Sequence, residues 1–441
     1  MMSSALILVL CICTWVSTSA GQCLTGNDNP PTTNQDAQKI LVDGRFGFGM
    51  DSLKIISEIV TQDNIFFSPH SLHQALMVVY LGARGATETS LKQALHIPTE
   101  LSKVDVQRFY AFENTLNQIR KENSTTNYEY EIANRLWVKN STRLKSCMLS
   151  IFDQELEKVD FWSDPEAARN KINQWVSDKT KGNIQDLIPS QGITQDTDLV
   201  LSNAVYFKGL WKSRFNRENT KKSIFYQAQN NATLASFMYQ KGTFNHMVSE
   251  ELGAHVLQLP YMGDEVSMFI FLPPFATARS LQSSTQDGLI QLIQRISSTE
   301  SGLKELREIL DEGMQAKPVE VQIPKFSLEQ ELPMLQLASG LGIEEILTPN
   351  GADLRGFVED NEESLHIGDA VHRAKIEISE EGTTAAAATA LFSFRSSRPD
   401  GPAIFHANHP FLYLIYDHSN RNILFNGIFR KPKKPDNGGV V

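Results

Sequence analysis

Apolar positions along the chain fall into alternating helical and strand-like stretches, with no linker between them. Phe48, Leu53, Ile56, Ile59 and Val60 recur at helical spacing and predict a helix over Phe46–Val60. Asn64–Ala75 starts as an extended run, N-I-F-F, and passes through Ser68-Pro69 into a helix reaching Leu81. Serine before proline is a good helix start, because the hydroxyl can accept a first-turn amide and proline has no amide to satisfy. Further helices are predicted over Val104–Lys121, Ala167–Lys181 (stopped by Gly182), Leu289–Ile309 and Leu335–Gly340. Strands are predicted at Glu131–Trp137, Leu199–Phe207 and Val319–Phe326. Two strand pairs complete the pattern, one in His255–Pro273 about the turn at Tyr261–Asp264, the other in Phe411–Phe429 about Asp417–Asn422. Strands and helices are interspersed without repeats, which predicts one large α+β domain.

The ends read differently. Met1–Ala20 carries an apolar run from Ala5 to Val16 closed by S-T-S-A, the pattern of a signal peptide, although it lacks the usual positive start. The run is too short to span a bilayer. Residues 21–36 are polar and contain N-P-P-T-T, which predicts a flexible arm, and 433–441 predict a flexible tail. The chain from 37 to 432 is the expected domain. Secretion would leave Cys23 and Cys147, which either pair or stay free; two cysteines make neither a disulfide framework nor a zinc site. Asn123, Asn140 and Asn231 head N-x-S/T sequons and are candidates for glycosylation. A formal net charge of -10 gives no footprint for nucleic acid, and no polybasic segment suggests a membrane.

The most unusual stretch is Glu380–Pro399, E-E-G-T-T-A-A-A-A-T-A-L-F-S-F-R-S-S-R-P. Alanine favours a short helix here. Extended, the same residues put Thr383, Ala385, Ala387 and Thr389 on one face and Thr384, Ala386, Ala388 and Ala390 on the other. A strand without bulk on either face can enter a crowded sheet without clashing. It ends at an Arg-Ser bond that suits a trypsin-like protease.

This hinge resembles that of the inhibitory serpins, and the resemblance extends from about Ile40 to Pro432. It is carried by N-I-F-F-S-P-H-S-L at Asn64–Leu72, L-S-N-A-V-Y-F-K-G-L-W at Leu201–Trp211 and V-E-V-Q-I-P-K-F at Val319–Phe326. Ile367–Glu381, and Ala407–Gly427 with N-H-P-F and L-F-N-G, complete it. The resemblance implies three β-sheets, about nine helices and a reactive-centre loop over about 380–404. It implies that the loop is offered as bait, cleaved to an acyl-enzyme and inserted into the main sheet with the protease attached. The hinge would then comprise Glu380, Glu381, Gly382, Thr383, Thr384, Ala385, Ala386, Ala387 and Ala388. Ser68, Ser71, Asn203 and His372 match the family's shutter, a hydrogen-bonded cluster where the sheet must part. Trp211, Lys325 and Glu380 match its breach at the top of the sheet, the last two as a partly exposed ion pair.

The family's spacing from Gly382 puts the cleaved residue at Ser396, before Ser397. Side-chain chemistry favours Arg395, before Ser396, because an arginine offers five donors and a permanent charge to an acidic pocket. Arg398 is excluded by Pro399, and Phe394 would suit a chymotrypsin-like enzyme. The 13-residue stretch Thr383–Arg395 would span about 43 Å at ~3.3 Å per residue, enough for a full-length strand.

Two rival readings frame these expectations. An enzyme would need a motif such as G-x-S-x-G or a P-loop, which the chain lacks, and His406 and His409 have no acidic or cysteine partners nearby in sequence to make a metal site. The serious alternative is a non-inhibitory serpin acting as carrier, chaperone or storage protein. Such members tend to have bulky or charged hinge residues, and Thr383–Ala390 has none. A heparin-like polysaccharide is not an expected activator, because Val104–Asn123 carries only Arg108, Arg120 and Lys121 as basic residues. A monomer without cofactor or metal is expected, with a trypsin-like serine protease as its partner.

Overall fold

A computed structural model describes residues 23–25, 34–123, 128–228, 231–275, 288–360, 362–381 and 401–433. In chain order the helices are α1 (Ala37–Ile59), α2 (Pro69–Gly82), α3 (Gly85–Ala94), α4 (Lys103–Asn123), α5 (Ser146–Ile151), α6 (Pro165–Lys179), α7 (Gly288–Ser298), α8 (Glu300–Asp311) and α9 (Met334–Gly340). The strands are β1 (Ile65–Phe67), β2 (Tyr128–Lys139), β3 (Leu156–Val159), β4 (Leu199–Gly209), β5 (Lys221–Ala228), β6 (Asn231–Ser249) and β7 (Ala254–Pro260). They continue with β8 (Val266–Leu272), β9 (Ala316–Pro324), β10 (Phe326–Glu331), β11 (Ile367–Ile378), β12 (Ala403–His406), β13 (Phe411–Asp417) and β14 (Asn422–Phe429).

Two hydrogen-bonded sheets result among the described residues, where three were expected. The main sheet runs β10-β11-β4-β2-β3; the other runs β1-β14-β13-β8-β7-β6-β9-β12, with β5 also on β6. The reason is β6. It is 19 residues long, pairs β5 through Asn231–Phe237 and β7 through Asn245–Ser249, and so joins two smaller sheets into one continuous path.

The core explains why β4 reads as an apolar run interrupted only by Ser202 and Asn203 up to Phe207. Leu199 and Leu201 face the helical core, and Val205 and Phe207 face the aromatic layer between the sheets. Val200 and Ala204 face the opposite way, against Ile172 and Val176 of α6. A strand buried on both faces has no polar side to alternate with. The Ser68-Pro69 start holds: the Ser68 hydroxyl accepts from the Ser71 amide at 3.1 Å, and Pro69 opens α2.

Several expectations need correction. Leu289–Ile309 is two helices, because Thr299 adopts an extended conformation and its side chain accepts the Gly302 amide at 3.1 Å, starting α8 afresh. The hairpin β5–β6 was not anticipated. Within the expected flexible arm, Cys23 and Leu24 are buried in the core, and Cys23 is disulfide-bonded to Cys147 across 124 residues. No helix among the described residues is long and apolar enough to cross a membrane.

Candidate functional site

The main sheet has one parallel seam between strands far apart in sequence. β11 pairs β4 directly, from Ile367 opposite Leu199 to Ile376 opposite Phe207. Register across three strands places Asn134 beside Asn203 and Asn203 beside His372. Polar side chains from β2, β4 and β11 therefore meet in one buried row, under the start of α2.

Hydrogen bonds fix the chemistry of this row. The Ser68 amide donates to His372 Nε2 at 3.2 Å, so Nε2 must offer its lone pair. The ring proton then sits on Nδ1, which donates to Asn203 Oδ1 at 2.8 Å. The Ser71 hydroxyl shares its single proton between Asn134 Oδ1 (2.9 Å) and Asn203 Oδ1 (3.0 Å), and Asn134 Nδ2 donates to the Ser71 carbonyl at 3.0 Å. Burial lowers the His372 pKa to about 3, so the imidazole is neutral at physiological pH. The four residues expected to cluster do so. Asn134 belongs with them and was missed, because in E-I-A-N-R-L-W it is one polar position among several. Asn203 Nδ2 is buried and without a hydrogen-bond partner among the described residues.

At the top of the seam Trp211, stacked on Tyr261 with ring centroids 4.5 Å apart, donates its indole N–H to the Ser379 carbonyl at 2.8 Å. The next residue, Glu380, meets Lys325 Nζ at 2.7 Å and the Thr220 hydroxyl at 2.8 Å. The expected ion pair is present, but only one partner is open to solvent: the Lys325 side chain is 45% exposed and that of Glu380 only 5%. Burial alone would raise the Glu380 pKa; hydrogen bonds from Lys325, its own backbone amide and Thr220 reverse this and hold the carboxyl below its ordinary range. Thr220 was not anticipated, since it lies 160 residues away in sequence. Glu381 pairs with Arg217.

Gly382, Thr383, Thr384, Ala385, Ala386, Ala387 and Ala388 lie outside the described residues, as do Phe394, Arg395, Ser396 and Ser397. Asn140 is exposed in the turn after β2, Asn231 is exposed at the start of β6, and Asn123 is the last residue of α4. His409 Nε2 lies 2.7 Å from the Pro273 carbonyl, and among the described residues no three His, Cys, Asp or Glu side chains are grouped to hold a metal.

The chain matches the family model described as Serpin (serine protease inhibitor) over residues 45–432. It is 37% identical over 415 residues to Serine protease inhibitor 88Ea of Drosophila melanogaster, covering 90% of this chain and 92% of that protein. It is 34% identical to human Antithrombin-III, covering 84% of this chain and 77% of the relative. Among solved structures it resembles maspin (25% identity, TM-score 0.75, 90% of this chain and 100% of that one) and uncleaved ovalbumin (25%, TM-score 0.73, 89% and 100%). The chain belongs to the serpin family. It is accordingly a protease inhibitor and not an enzyme.

Proposed function

We propose that the protein is a secreted suicide inhibitor of trypsin-like serine proteases. The loop over about 380–404 is cut at Arg395-Ser396, the protease is held as an acyl-enzyme, and Thr383–Arg395 enters the main sheet between β4 and β11. The observation that supports this reading is the seam itself. The strands that would flank the new one lie directly paired, and Glu380 at the upper end of β11 leads into Gly382 and the small residues after it. β11 has 12 residues, about 40 Å at ~3.3 Å each, against about 43 Å for Thr383–Arg395. Ser68, Ser71, Asn134, Asn203 and His372 would hold the seam shut until then, while Trp211, Lys325, Thr220 and Glu380 secure its top. The Cys23–Cys147 disulfide supports an oxidising, extracellular destination, and exposed Asn140 and Asn231 suit glycosylation.

Mixing the protein with trypsin should give a covalent complex that survives SDS, and mass spectrometry should find a released peptide beginning at Ser396. Arg395→Ala should abolish trypsin inhibition. Digestion without any complex would refute the inhibitory reading in favour of a non-inhibitory serpin; a peptide beginning at Ser397 would move the bond to Ser396-Ser397.

A further inference from the structure

Besides the central cluster and the Trp211–Ser379 hydrogen bond, an ion pair and an imidazole–carboxylate contact among the described residues join the two sides of the seam, one at each end. Near the top, Lys208 Nζ of β4 lies 3.6 Å from Glu377 of β11. At the base, immediately before both strands, His366 Nδ1 lies 3.1 Å from Asp198 Oδ2. Asp198 also meets Lys139 of β2 at 3.4 Å, on its own side of the seam. That contact would travel with β4 when the sheet opens; the one to His366 would not.

Geometry makes the end pairs incompatible with a sixth strand. Neighbouring strands sit about 4.8 Å apart, so one inserted between β4 and β11 separates them to roughly 9.6 Å. Contacts of 3.1 and 3.6 Å cannot survive this. A strand descending from the top passes Lys208–Glu377 early, while only one of about 43 Å reaches Asp198 and His366.

We propose that Asp198 and His366 form a latch at the foot of the seam, a pair of positioning residues whose separation limits the rate of full insertion. This rests on the reading that β4 and β11 part during inhibition. Neither side chain touches the protease or the scissile bond. Both are partly exposed, 32% for Asp198 and 22% for His366, so the latch is weak. Loss of such a pair changes a rate by about 1.5- to 5-fold.

The test uses the intact protein and a synthetic peptide with the sequence of Thr383–Arg395, whose uptake into the sheet is followed by native electrophoresis and by gain of heat resistance. Asp198→Asn and His366→Leu, the second keeping the Lys139 contact, should take up the peptide about 1.5- to 5-fold faster than the unmodified protein. Glu320→Gln, which breaks the Lys241–Glu320 surface pair (2.8 Å) of the other sheet, should not. Uptake at the unmodified rate in both seam variants overturns the latch. If the unmodified protein takes up no peptide while remaining folded, the parting of the sheet itself fails, and the inhibitory reading fails with it.

Discussion

Asn203→Ala isolates the centre of the seam. The substitution removes the oxygen that accepts from His372 Nδ1 and from the Ser71 hydroxyl. Ser71 keeps Asn134 as an acceptor at 2.9 Å, but the His372 N–H is left buried and unpaired. A buried donor without a partner costs about 1–3 kcal/mol. The change also removes Asn203 Nδ2, itself buried and unpartnered, which returns part of that cost. A net loss of about 1–2 kcal/mol is expected. With an unfolding entropy of ~2.1 cal/mol/K per residue, a domain of about 400 residues loses roughly 1 °C of Tm per kcal/mol, so the intact protein should melt about 1–3 °C lower. Opening of the seam, which needs the same hydrogen bond broken, should become about 5- to 30-fold easier. The assay is paired melting of the intact protein and of protein cut once in the loop. On the proposed mechanism β4 and β11 are already separated in the cut form, so its Tm should fall less. An equal fall in both forms would refute the idea that this hydrogen bond belongs to the closed seam.

Other perturbations address other parts of the molecule. Lys325→Met leaves the buried Glu380 carboxylate with Thr220 as its remaining side-chain partner; the Glu380 pKa should rise and hinge residues should become more susceptible to proteolysis, readable as faster cleavage by a non-target protease. Burial holds His73 and His372 at about 3 in the folded protein, well below an unfolded histidine at about 6.5, so the unfolded chain binds more protons at acid pH. Their stabilising effect is complete above pH 6.5 and is lost as pH falls towards 3; at pH 5 each should have lost roughly 2 kcal/mol, measured as the shift in denaturant midpoint, and His372→Gln should flatten the profile. Reduction of Cys23–Cys147, or Cys23→Ser, should lower stability by about 2–4 kcal/mol, because the bond closes a loop of more than a hundred residues in the unfolded chain.

How much of this was legible in the sequence depended on whether the determining contact was local. Ser68-Pro69 announced the start of α2 because a cap and its amide are three residues apart, and β4 announced itself because burial on both faces leaves a mostly apolar run. The break at Thr299 was equally local, a side-chain cap inside T-E-S-G, but the apolar positions on either side continued the helical spacing and concealed it. Asn134 and Thr220 had no such signal. Their partners Ser71 and Glu380 lie 63 and 160 residues away, and only the tertiary fold brings them together. Resemblance to the family supplied Ser71, Asn203 and His372; the residues alone gave no reason to connect them. Leu24 and the Cys23–Cys147 bond were obscured for a further reason: the polar, proline-bearing segment around them reads as solvated whatever its cysteine does.

The closed seam also bears on why a chain with such a hinge does not simply finish its sheet. β11 and β4 are satisfied as they stand, with paired backbones and the side-chain cluster at their centre, so admitting another strand first requires those bonds to break. On the proposed insertion two strand pairings replace the one that is lost, and the small side chains of Thr383–Ala390 add no steric penalty on either face. The gain arrives only after the barrier has been crossed. Hydrogen bonds such as Asn203–His372 and Trp211–Ser379 are weak beside that eventual gain, yet they stand in its way at the outset. Substitutions along the seam should therefore alter the rate of insertion far more than the stability of the cut product. An inhibitor of the proposed kind, which waits for its protease and must then act faster than deacylation, needs such a division, in which a few polar side chains govern timing and the length of the sheet governs the outcome.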